Sequence, residues 1–91
     1  MWSWEKDENG NIEKLKVNRQ VLEDGIRFYY QTETSPSLEM EKTEDGYRFQ
    51  KGYLPKEGST LILRLLFPIS LAVQGGQLWT LRKNNYENPV F

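Results

Sequence analysis

The sequence predicts an all-β protein: a small antiparallel meander of seven or eight short strands, drawn into a curled sheet or small barrel, with at most one short helix. Three observations carry the prediction. Turn-forming dipeptides recur at Asn9-Gly10, Asp24-Gly25, Asp45-Gly46 and Gly75-Gly76, with Pro55-Lys56-Glu57-Gly58 as a fifth signal. Their spacing, mostly about 10–20 residues, suits short antiparallel strands. Between them apolar and polar residues alternate with period two, as in a strand with one buried face. The first two segments also match each other as a hairpin in register.

That hairpin pairs residues whose numbers sum to 19 if Asn9-Gly10 is a two-residue loop. Trp2 then faces Val17, Trp4 faces Leu15, Glu5 faces Lys14 and Lys6 faces Glu13. Aromatic–aliphatic and opposite-charge cross-strand pairs each contribute ~0.2–1 kcal/mol. Asp7 opposite Ile12 is the one poor match. Residues 12–23 read two ways, because Ile12, Leu15, Arg19 and Leu22 also fall at helical spacing. Ile26, Phe28 and Tyr30 alternate with Arg27, Tyr29 and Gln31, a half-buried strand. Thr32 to Ser37 is a loop. Leu38 and Met40 alternate with Glu39 and Glu41, and Tyr47, Phe49 and Tyr53 with Arg48 and Gln50. An Asp45-Gly46 turn would set Leu38 against Tyr53 and Lys42 against Phe49. Thr60 to Phe67 is almost continuously apolar, as in a central strand covered on both faces or a short buried helix capped by Ser59. Pro68 stops it. Ile69, Leu71 and Val73 form a further alternation, and Leu78 to Leu81 follow the Gly75-Gly76 turn. Residues 1–83 thus make one β-rich domain and residues 84–91 a polar C-terminal tail.

Composition narrows the function. The 91 residues include no His and no Cys. No thiol nucleophile, thiolate metal site or His-based triad is available. The usual proton-transfer group at neutral pH is missing as well. A metal site would need oxygen ligands alone. The expectation is therefore no catalysis and no cofactor. Residues 1–15 mix charge with aromatics and carry no apolar targeting core, and no stretch reaches the ~20 residues of a membrane helix. A cytoplasmic protein with no membrane role is expected.

Motifs that suggest chemistry fail at named positions. Asp7, Asn9 and Asn11 have the spacing of half a calcium-binding loop, but Ile12 stands where that loop needs Gly and Asn18 where it needs Glu. The run from Gly52 to Thr60 has one residue too many for a phosphate loop and no Lys after Gly58. Lys51-Gly52-Tyr53 opens like the central strand of an RNA-recognition motif and stops matching at Leu54. Glu39 with Glu41, and Lys14 with Lys16, are same-face pairs expected on a solvated sheet. Asn88-Pro89-Val90-Phe91 has the form of a short turn peptide but is only four residues long.

Three classes of function remain. The first is a protein-interaction module or accessory subunit of a larger assembly. It would bind another protein, or a copy of itself through a sheet edge. Trp2, Trp4, Tyr29 and Tyr86 are its expected exposed anchors, with Arg82 and Lys83 beside them. The second, a small-barrel binder of single-stranded nucleic acid through Arg82 and Lys83, is disfavoured by the net charge of −1. The third is a small-molecule carrier lined by Tyr30, Tyr47, Phe49 and Trp79. Charge is uneven: residues 1–45 carry six basic and eleven acidic side chains, and residues 46–91 carry six and two. Either early and late strands lie side by side, or the surface has a basic part made of Arg48, Lys51, Lys56, Arg64, Arg82 and Lys83.

Overall fold

A computed structural model describes residues 2–68, 74–82 and 85–87 of the chain. Over these residues it is all-β and antiparallel, with one short helix and no closed barrel among them. The described elements are β1 (Trp2–Lys6), β2 (Ile12–Val17), α1 (Arg19–Glu23), β3 (Arg27–Gln31), β4 (Leu38–Glu39), β5 (Glu41–Lys42), β6 (Gly46–Arg48), β7 (Thr60–Leu66), β8 (Gln74–Arg82) and β9 (Asn85–Glu87). They make nine strands, not seven or eight, in two sheets: β1-β2-β6-β5 and β4-β3-β7-β8-β9. Most neighbouring strands are consecutive in sequence, as a meander requires. The exceptions, β2 beside β6 and β3 beside β7, set early strands next to late ones.

The first hairpin has the expected register over Trp2↔Val17, Trp4↔Leu15 and Glu5↔Lys14. A bulge between Glu5 and Lys6 then puts Lys6, not Asp7, opposite Ile12. The bulge leaves Asp7 in a longer loop, where its Oδ1 accepts from the backbone N–H groups of Asn9 (2.8 Å) and Asn11 (2.9 Å). Gly10 closes this loop at φ 84°, in the left-handed region. Residues 12–23 divide between the two readings: strand to Val17, then helix from Arg19. Asn18 makes the change, its side chain accepting from Val21 N–H at 3.0 Å as an N-cap.

Three of the glycine signals act differently from the turns expected of them. Gly25 (φ 71°) follows the last helical turn and donates to Leu22 C=O, so it ends α1 instead of joining two strands. Gly46 lies within β6 opposite Lys16, and a Cβ there would stand 2.0 Å from the Leu15 carbonyl oxygen. Its role is close backbone approach. The hairpin turn falls one residue earlier, so Lys42 faces Tyr47, not Phe49. Leu38 faces Tyr30, not Tyr53. Gly75 and Gly76 lie inside β8, opposite Leu65 and Arg64. Residues 69–73, the further alternating segment, are outside the described region.

Residues 38–42 do not stay in one sheet. Leu38 and Glu39 pair with β3, Met40 donates its N–H to Phe28 C=O (2.8 Å), and Glu41 and Lys42 pair with β6. Met40 is buried at this corner, where one stretch of chain joins both layers. The inner faces meet through aromatic contacts: Trp2 with Phe28, Phe28 with Tyr47, and Trp4 with Phe49 and Tyr86. In β7, Leu61, Leu63 and Leu65 are buried while Ile62 and Arg64 are exposed. This central strand is therefore covered on one face only, because no layer lies over the outer side of its sheet among the described residues.

Candidate partner-binding surface

The residues expected to meet a partner divide between the two sides of the sheets. Trp2 and Trp4 point inward from β1 beside Val17 and Leu15 and close the gap between layers. Both are half-buried and packed against the core. Tyr86 was expected at the surface and is buried instead, with its ring centre 4.8 Å from that of Trp4. It faces Leu81 across β8 and β9, and both turn inward. These three complete the core. Tyr29 and Arg82 lie on the outer face of the larger sheet. Arg27 stands 5.7 Å from the Tyr29 ring centre, and Arg82 is 3.6 Å from Glu87. Lys83 lies outside the described residues, as does the 88–91 motif. Of the residues expected to line a carrier cavity, Tyr30 and Tyr47 fill the space between the sheets. Phe49, also buried, reaches the floor of a surface groove, and Trp79 packs on Trp4.

The outer faces differ in chemistry. That of the smaller sheet is a web of charge: Lys14 contacts Asp45 (2.8 Å) and Glu5 (3.6 Å), and Arg48 contacts Glu41 (2.9 Å). That of the larger sheet carries Tyr29, Ile62 and Arg64 at its centre, with the Arg27–Glu39 pair (2.8 Å) at its rim. Glu39 and Glu41 thus belong to different sheets and hold different arginines. Arg48–Glu41 is the one ion pair among the described residues that joins the acidic and basic halves of the chain.

The most exposed large apolar side chains among the described residues stand elsewhere, on the loop between β6 and β7. Tyr53 is 53% and Leu54 62% exposed. Their loop is held at both ends. The buried Tyr30 hydroxyl accepts from Gln50 N–H and donates to Tyr53 C=O, each at 3.1 Å. Tyr53 N–H donates to Gln50 C=O (3.1 Å). Farther along, Ser59 N–H donates to Lys56 C=O (2.9 Å), and Gly58 and Leu81 are joined by a bond of 2.8 Å. The segment stands as a ridge between two grooves. One, of about 580 Å³, is floored by Ile12, Phe49, Leu81 and Tyr86, and the other, of about 430 Å³, runs beside Thr32 and Ser35. Lys51 and Lys56 flank the exposed pair and form no ion pair among the described residues. In sequence this stretch reads as a turn at Pro55 to Gly58 with Lys51 and Lys56 in a basic part of the surface, and Tyr53 as a strand residue, so neither Tyr53 nor Leu54 is expected at a contact. The missed signal was Leu54 beside Pro55 inside a turn, where neither strand face can bury it.

Perturbed titrations move away from neutrality. Hydrogen bonding to Arg27 holds Glu39 below the ordinary carboxylate value, and hydrogen bonding to Lys14 does the same for Asp45. Burial pushes the Tyr30, Tyr47 and Tyr86 hydroxyls up. Asp7 spends its carboxylate on the turn, and among the described residues no cluster of three or more carboxylates is placed for a metal. No helix among them is long and apolar enough to cross a membrane. Three buried polar atoms on side chains that pack around Trp4, namely Trp4 Nε1, Trp79 Nε1 and the Tyr86 hydroxyl, have no hydrogen-bond partner of good geometry among the described residues. In comparisons with known proteins, no family, no curated protein and no solved structure matched the chain.

Proposed function

We propose that this protein is a small β-rich binding module that contacts another protein, as an accessory part of a larger assembly, and performs no chemistry of its own. One observation carries the reading. The core closes around Tyr30, Phe28 and the inward leucines, yet Tyr53 and Leu54 are left standing in solvent on a loop held at both ends. Large apolar side chains fixed in that way are typical of contact surfaces, since little freedom remains to be lost on binding. Self-association by edge pairing is less well supported. β4 and β5 are two residues long, and the bulge at Glu5 and Lys6 interrupts β1. A nucleic-acid role loses support because Arg48 and Arg82 are neutralised by Glu41 and Glu87. A chain without cysteine loses nothing in a reducing compartment, which suits the cytoplasm. The test is to isolate the protein with its partners from the cells that make it. A complex larger than the 91-residue chain and specific to it is expected, and a lone monomer would refute the proposal.

A further inference from the structure

We propose that Asn9 is a site of spontaneous covalent modification, at which the backbone nitrogen of Gly10 closes a succinimide on the Asn9 carboxamide and water opens it to aspartate and isoaspartate. Water is the one co-reactant, and no electrons are transferred. The Gly10 nitrogen loses its proton to solvent and bonds to Asn9 Cγ. The Cγ–Nδ2 bond breaks, and Nδ2 leaves as ammonia. Water then cleaves the ring nitrogen from Cγ, which gives aspartate, or from the backbone carbonyl carbon, which gives isoaspartate with Gly10 joined through the side chain. Of the six asparagines in the chain, Asn9 alone precedes a glycine, the residue that hinders this closure least.

Asn9-Gly10, Asp24-Gly25 and Asp45-Gly46 look equally suited to such a ring in sequence, and their surroundings separate them. Asn9 is exposed, and its carboxamide makes no hydrogen bond among the described residues. Around Gly10 there is open space, since a Cβ there would meet nothing within 4 Å. Closure must swing the Gly10 N–H away from Asp7 C=O (3.1 Å), a single bond whose loss slows it by no more than about tenfold. Asp24 instead accepts from Gln20 Nε2 (2.8 Å), while Gly25 N–H donates to Leu22 C=O (3.3 Å). Asp45 accepts from Lys14 Nζ (2.8 Å) and Thr43 Oγ1 (3.2 Å), which keep it ionised, and an ionised carboxylate has no good leaving group. Gly46 lies in β6 against the Leu15 carbonyl, so its nitrogen cannot turn without parting β2 from β6. The product changes the hairpin loop. Asp7 Oδ1 accepts from the N–H groups of Asn9 and Asn11, and isoaspartate inserts one more backbone atom between these donors. It also sets a new carboxylate beside Asp7 and Glu8, at the edge of the groove that Asp7 and Asn11 line.

The experiment holds the full chain for weeks at neutral pH, folded in one arm and in urea in the other. Peptide mapping by mass spectrometry follows the gain of one mass unit at Asn9, and methylation by an isoaspartyl methyltransferase marks the altered linkage at any position. Expected at position 9 are both isoaspartate and aspartate, formed in the folded chain within about tenfold of the rate in urea. Folding should slow isoaspartate formation at positions 24 and 45 more than at position 9. Amide exchange at Asp7 and Asn11 should speed up about tenfold in the modified protein. Asn9→Gln, whose larger ring closes far more slowly, should stay unmodified and keep the slow exchange. A folded Asn9 slowed by clearly more than tenfold overturns the proposal, and so does aspartate without isoaspartate, which would mean direct attack by water. Equal or smaller slowing at position 24 or 45 overturns the ranking by surroundings. Unchanged exchange at Asp7 and Asn11 overturns the altered hairpin loop.

Discussion

Two buried tyrosines in one core should respond in opposite ways to loss of a single oxygen. Tyr30 and Tyr86 are both buried, at 1% and 8% exposure, and both pack against Phe49. The Tyr30 hydroxyl has two partners, Gln50 N–H and Tyr53 C=O at 3.1 Å each, whereas the Tyr86 hydroxyl has none of comparable geometry among the described residues, only a looser approach to Ser59. Tyr30→Phe keeps the ring and its contact with Phe49 but leaves an amide and a carbonyl unmatched. At ~0.5–1.5 kcal/mol per bond, the loss is roughly 1–3 kcal/mol. For a domain of this size, 1 kcal/mol moves Tm by roughly 4–8 °C, so a fall of roughly 4–24 °C is expected. Tyr86→Phe removes a buried hydroxyl that has no hydrogen bond of good geometry among the described residues. Stability should hold or rise, by as much as ~1 kcal/mol. Thermal and urea unfolding of the two variants side by side measure this, and hydrogen exchange at Gln50 shows whether the Tyr30 contact was lost. A Tyr30→Phe protein within about 1 °C of the parent, or a Tyr86→Phe protein that loses more than Tyr30→Phe, would refute the reasoning.

Gly46→Ala should cost about 1–3 kcal/mol or more in urea unfolding, since its methyl would meet the Leu15 carbonyl and not open space; an unchanged midpoint would show that β2 and β6 are not so close. Acid should weaken the fold. Glu39 and Asp45 sit below their ordinary values of 4.5 and 3.8, so the stability they contribute is present above those values and is lost as pH falls through the lower folded-state ones. Asp45→Asn should flatten that part of the pH–stability curve, and an identical curve would count against the Lys14 pairing. At the alkaline end, the raised tyrosine hydroxyls contribute stability that is intact below pH 10.0 and declines above it, which unfolding midpoints measured from pH 9 to 11 would reveal. Leu54→Ser should leave Tm within about 2 °C, because the side chain is 62% exposed; a larger drop would place Leu54 in the fold instead of on its surface.

Legibility in the sequence tracked the distance over which a feature is decided. The first hairpin was readable because several cross-strand pairs had to agree at once, and Trp2↔Val17, Trp4↔Leu15 and Glu5↔Lys14 did. The Ile26, Phe28, Tyr30 alternation was readable because burial of one face imposes period two on a strand whatever covers it. Asn18 and Gly25 carried the marks of helix capping, but a helix of five residues leaves too little periodicity to separate from strand. The exposed ridge was not readable. Whether Tyr53 is covered depends on where the corner at Met40 sends the chain, and that is set by Phe28, Arg48 and Tyr47, all distant in sequence.

The sequence by itself determined the all-β class, the antiparallel pairing of the first two strands, the one-faced alternation of Ile26, Phe28 and Tyr30 and the exclusion of cysteine and histidine chemistry. These follow from composition and from period-two patterning, which are local. Only the tertiary structure decided that two sheets form, that Trp2, Trp4 and Tyr86 close the core, and that Tyr53 and Leu54 stand outside it. Each of these depends on which surfaces meet, and apolar side chains of the same kind serve equally well in a core or at an interface. The glycines show the same limit in miniature. Asn-Gly and Asp-Gly look alike in sequence, yet Gly10 serves a loop, Gly25 a helix end and Gly46 a close contact with Leu15, because the neighbour that demands a glycine lies elsewhere in the chain.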